Sequence, residues 1–120
     1  MLVQTEPAHD ADGLIDHDLI ASLRAAIGPA IERVIAGAVG AIEERIPRLR
    51  DLARDPVCDD IARLAHEIGG MAGQVGMCRL SRAALDLEHC ARNGDADGAR
   101  GAVGRVIDLA PPSLRAVCAG

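Results

Sequence analysis

The chain has 120 residues, 49% of them hydrophobic and none aromatic, which suits one domain with a core of Ala, Leu, Ile and Val and excludes disorder by composition. Its net charge of −5 argues against a nucleic-acid partner. All 13 basic residues are arginine, so no lysine can serve as nucleophile, Schiff-base former or phosphate-loop cation.

Residues 1–13 read as a mobile leader of mixed polarity, acidic and without the basic start and apolar centre of a signal peptide. No apolar run approaches the ~20 residues of a membrane span, so a cytoplasmic protein away from membranes is expected. Asp16 can cap a short helix carrying Leu19, Ile20, Leu23 and Ile27. Gly28 then ends that helix and Pro29 opens the next, each at its favoured end. The second helix carries Ile31, Val34, Ile35, Ala38, Val39, Ile42, Ile46 and Leu49, with Pro47 predicting a kink inside it. Asp55-Pro56 makes the turn, and Asp59 and Asp60 favour the start of a third helix.

That third helix sets Ile61, Leu64, Ala65, Ile68, Ala72 and Val75 on one side, and Gly76 closes it. A fourth runs from about Met77 to Arg92 on Leu80, Ala84, Leu87 and Ala91, and Asn93-Gly94 ends it. Asp95 can cap a fifth, with Ala99, Ala102, Val103, Val106 and Leu109 on its stripe. Pro111-Pro112 is predicted to break or bend this helix before a last turn around Leu114 and Val117. No segment alternates as a strand must. The reading is all-α: an antiparallel four-helix bundle with an additional short N-terminal helix, built from residues 14–118 and monomeric.

The third helix holds the most informative stretch. His66 falls opposite its apolar stripe, among Ala62, Gly69, Gly70 and Gly73. Glycine inside a helix costs about 1 kcal/mol against alanine, so three within one and a half turns need a reason. Either another helix packs closely there or an outside partner approaches His66. No polar group is evident to satisfy a buried imidazole on that face, which favours the approaching partner.

The run AHEIGGMAGQVGMCRLSRAALDLEHCARNGD resembles the histidine-containing phosphotransfer (HPt) domain of bacterial phosphorelays. The matching positions are His66, Ile68, Gly70, Gly76, Leu80, Leu87 and Glu88, followed by Arg92-Asn93-Gly94-Asp95, and the likeness covers roughly Leu14 to Val117. It implies that His66 takes a phosphoryl group from an aspartyl phosphate on a receiver domain and passes it to another receiver. The partners it implies are the receivers of response regulators and hybrid histidine kinases. The chain would need no cofactor of its own, Mg²⁺ being carried by the receiver. One departure is plain: the family's usual lysine three residues after the histidine is Gly69 here. Arg63, Arg79 and Arg82 are the candidates to substitute for it, and Gln74 is a candidate donor to the phosphoryl group. Glu67, beside His66, either orients the imidazole or is a solvated helix charge.

Histidine titrates near ~6.5 in peptides, so at cellular pH an exposed imidazole is largely neutral and offers one nitrogen lone pair. Gly69, Gly70 and Gly73 would give the clearance that lets His66 enter a receiver's acidic pocket. His89, beside Cys90, is the rival nucleophile but has no such clearing. His9 and His17 read as solvated. The cysteines at 58, 78, 90 and 118 lack CxxC spacing and read as small core hydrophobes, and no metal site is expected. A second function class remains: a helical adaptor that binds receivers, or another signalling partner, without being phosphorylated.

Overall fold

Apolar residues recurring at i, i+3 and i+4 become helices here, each turning its stripe to a common core. The computed structural model describes residues 13–119. The leader reading, apart from Gly13, lies outside the described residues, and so does His9. Five α-helices follow in order: α1 (His17–Ile27), α2 (Ile31–Leu52), α3 (Asp59–Gln74), α4 (Cys78–Arg92) and α5 (Ala96–Ala119), with a 3₁₀ turn (Gly28–Ala30) between the first two. No strand occurs among the described residues.

The predicted caps are in place. The Asp16 carboxylate accepts from the Leu19 amide at 3.0 Å, and the Asp95 carboxylate accepts from the Gly98 amide at 2.9 Å. Helices α2 to α5 form the bundle: α3 packs between α2 and α4, and α5 closes it between α4 and α2. Ile31, Ile42, Leu49, Ile61, Ile68, Leu80, Leu87, Val106 and Val117 are completely or almost completely buried between them. The all-α bundle with an additional N-terminal helix is therefore the observed architecture.

Helix α1 seals the end of the bundle where α3 turns into α4. Gly76 makes that turn at φ +80°, and a Cβ there would stand 3.1 Å from the Asp16 carbonyl and 3.3 Å from Ile20 Cγ1. Both the backbone angle and the close approach therefore require glycine. The Asp16 amide donates to the Gly76 carbonyl at 2.7 Å, and the Cys78 thiol donates to the carbonyls of Gly13 and Leu14 at 3.3 and 3.5 Å.

Four sequence expectations need correction. Of the break or bend expected at Pro111 and Pro112, the break does not occur: α5 continues through both prolines. The prolines remove two N–H donors, but Ala110, Ser113 and Val117 are buried on both sides of them, so packing outweighs the lost bonds. Second, the reading of the cysteines as core hydrophobes holds for Cys58 and Cys90, which are half-buried and pack against the core, but not for Cys118, which is exposed, or for half-buried Cys78, whose thiol faces the Gly13 and Leu14 carbonyls; all four are free. Third, His17–Leu52 contains a window of mean hydropathy 1.5, apolar and long enough to cross a membrane, of which 17% is buried. Gly28, at φ +60°, breaks this stretch, and Glu32 and Arg33 lie within it. The fourth concerns the glycines around His66 and belongs with the site.

Ser113 is fully buried, and its hydroxyl has no hydrogen-bond partner among the described residues. An unmatched buried hydroxyl costs on the order of 1–3 kcal/mol. Ser113→Ala is expected to raise the stability by about 1 kcal/mol. Urea unfolding checks it; a lower midpoint would show that the hydroxyl is satisfied in solution.

Candidate functional site

The α3 and α4 helices form a hairpin whose register is symmetric about Met77. His66 and Glu88 lie eleven residues either side of it, Gly69 and Leu85 eight, and Gly73 and Ser81 four. All three pairs touch or nearly touch. They recur at i, i+3, i+7 on α3 and at i, i+4, i+7 on α4, each the spacing of one face.

The first pair is polar. His66 Nδ1 and Glu88 Oε1 are 3.1 Å apart, and the other carboxylate oxygen of Glu88 accepts from Arg92 Nε at 2.9 Å. The His66 side chain is 67% exposed, whereas that of Glu88 is 17% exposed. Burial alone would raise the Glu88 carboxyl. The hydrogen bonds from Arg92 and His66, together with their charges, outweigh it and hold the carboxyl below its usual range. An ionised carboxylate can only accept, so a neutral His66 facing it carries its proton on Nδ1 and its lone pair on Nε2.

The other two pairs change the meaning of the glycines. A Cβ at Gly69 would stand 2.8 Å from Leu85 Cδ2 and 3.5 Å from Ala84 Cβ, and one at Gly73 would stand 3.1 Å from the Ser81 hydroxyl. That hydroxyl donates to the Gly69 carbonyl at 2.8 Å. Gly69 and Gly73 are thus explained by α4 lying against α3, and Gly69 is buried. The clearance expected at all three is absent at Gly69 and Gly73, and only Gly70 has open space around it. The expectation failed because a second helix can pack on the glycines and still leave His66 at the edge of the contact, where Glu88 satisfies it.

A stability contrast follows. Gly70→Ala is expected to stabilise the protein by about 0.5–1 kcal/mol, the ordinary gain in a helix. Gly69→Ala is expected to gain nothing, because its methyl must displace Leu85. Equal shifts in the two unfolding midpoints would show that Leu85 yields freely.

The remaining predicted residues are dispersed. Arg63 is exposed and donates to Asp60 at 2.9 Å. Arg82 is exposed and lies six residues before Glu88 on α4, about 9 Å along the axis; Arg79, also exposed, lies about 13 Å along it. Gln74 is exposed at the end of α3, about 12 Å along the axis from His66. Glu67 turns to α2, where Arg45 Nε donates to it at 2.9 Å, so it fastens two helices and does not orient the imidazole. His89 is exposed on α4, with the Asn93 amide against its ring. A cation does join the His66–Glu88 pair: Arg92, bound to Glu88, which sequence reasoning did not place in the site.

Among the described residues, no cluster of three or more His, Cys, Asp or Glu could hold a metal ion. No curated protein and no solved structure gives a significant match to the chain. The family model of the Hpt domain matches residues 33–116, which takes in α3 and α4 and most of α2 and α5. With an exposed histidine on a four-helix bundle, and a match over more than half its length, the chain belongs to the Hpt domain family, whose members carry out histidine phosphotransfer in phosphorelays.

Proposed function

We propose that the protein carries a phosphoryl group on His66 between the receiver-domain aspartate of a hybrid kinase and that of a response regulator. The observation that carries this reading is an imidazole 67% exposed whose Nδ1 is engaged by Glu88. The Nε2 lone pair attacks the phosphorus of an aspartyl phosphate. The N–P bond forms as the bond to the aspartate oxygen breaks, and the aspartate leaves as carboxylate. Positive charge left on the ring is met by Glu88 through Nδ1–H. The reverse step delivers the group to a second receiver. Mg²⁺ and most of the stabilisation of the transferring phosphoryl group belong to the receiver, while this chain supplies position and a nucleophile. The protein acts in the cytoplasm, as a monomer, without a cofactor of its own.

The experiment is phosphoryl transfer from a panel of phosphorylated receivers. An acid-labile phosphate on this chain supports the carrier reading and identifies a donor. Binding of a receiver without any transfer would overturn it in favour of the adaptor.

A further inference from the structure

Leu85 is conspicuous for where it stands. It is 46% exposed, and of the large exposed hydrophobic residues among those described it is the one on α4, beside the His66–Glu88 pair. Its Cδ2 lies 2.8 Å from where a Cβ on Gly69 would stand, one turn beyond His66, and on its own helix Leu85 is one turn before Glu88. Gly69 forfeits helix stability to admit a side chain that stays half in water, so core packing alone does not account for the pair. Beyond Leu85 a groove of about 430 Å³ continues along Ser81 and Gly73 to Leu19 of α1, with Arg82 and Asp86 on its lining.

We infer that Leu85 is a specificity-determining contact, the apolar seat on which a phosphorylated receiver rests while its phosphoryl group reaches His66. This rests on the carrier reading. Transfer needs phosphorus about 3–3.5 Å from the attacking nitrogen. A protein that brings it so close from within its own pocket must also cover a residue one helical turn away, about 5 Å along the axis. What it meets there is a leucine lying against Gly69. Position 69 contributes no side chain of its own, and Leu85 occupies the space that a Cβ there would take. The receiver that fits presents an apolar side chain opposite Leu85, and one that places a carboxylate there leaves it unpaired against methyl groups.

The test is transfer kinetics with receivers that phosphorylate the wild type, comparing Leu85→Ala, Leu85→Lys and Leu85→Met, with unfolding midpoints measured alongside. Leu85→Ala is expected to raise KM about tenfold with kcat within about twofold, the loss of roughly half a leucine's burial in the encounter. Leu85→Met, of similar volume, is expected to stay within about twofold of wild type. Leu85→Lys is expected to reorder the receivers by preference. Unchanged KM in the alanine variant and unchanged ranking in the lysine variant, while wild type still accepts phosphate, would overturn the role of Leu85 and leave the carrier reading standing. If no receiver phosphorylates the wild type, both fall together.

Discussion

His66→Gln abolishes acid-labile phosphate on the protein and leaves receiver binding within a few-fold. Glutamine keeps length and a polar end but has no ring nitrogen to attack phosphorus, so the loss is of chemistry and not of shape. The fold should tolerate it. The side chain is 67% exposed, and surface changes of this kind usually alter stability by no more than about 0.5 kcal/mol. Glu88 keeps its bond from Arg92 at 2.9 Å and is not left unpaired. Phosphorylation followed by acid and alkali treatment checks the chemistry, and titration of a receiver checks the binding. Persistence of the label would redirect attention to His89, the other exposed histidine of this hairpin. His89→Gln is accordingly expected to retain full labelling. Equal output from wild type and His66→Gln in a reconstituted pathway would mean that the protein works by binding alone.

The glycines show where the sequence stops being legible. A helical period states which side of α3 is apolar, and Ile61, Leu64, Ala65, Ile68 and Ala72 are indeed buried. That period puts His66 on the opposite side, which is why the imidazole could be singled out from one sequence. A glycine, however, says only that something comes close or that nothing is there; it does not say which. Gly69 and Gly73 are contacts with Leu85 and Ser81, and Gly70 is open space, although all three look alike in the sequence. The missing information is the register of α4 on α3. It was recoverable in part, because a tight turn at Gly76-Met77 between two straight antiparallel helices sets each residue opposite its mirror position. Counting eleven residues either side of Met77 takes His66 to Glu88. Continuation of α5 through Pro111-Pro112 was not recoverable in that way, since it depends on how deeply Ala110, Ser113 and Val117 are held by the other helices.

Removing the Glu88 carboxylate slows phosphorylation of His66 without weakening receiver binding. Glu88→Ala is expected to lower the rate about 10–100-fold, the kinetic equivalent of the ~1.5–3 kcal/mol carried by a hydrogen bond to a charged group. Two contributions are lost at once: the fixed ring with its lone pair on Nε2, and the negative charge that meets the imidazolium as the N–P bond forms. Glu88→Gln separates them. Its amide oxygen can still accept from Nδ1–H, so the ring is held, but the charge is gone, and an intermediate rate is expected. Ring ¹⁵N chemical shifts of His66 give a readout that a merely structural role would not move. The proton should sit mainly on Nδ1 in the wild type and lose that preference in Glu88→Ala. The pH dependence has a definite sign. Burial raises the Glu88 carboxyl, but Arg92 and His66 lower it further, so its folded value lies below the ordinary one. Its contribution to stability and positioning is therefore complete above the ordinary carboxylate range and is lost as pH falls through the lowered folded value. Arg92→Ala removes the largest lowering influence and should move that loss to higher pH. A transfer rate unchanged in Glu88→Ala, with the Nδ1 proton still in place, would show that the 3.1 Å contact does not govern the reactivity of His66.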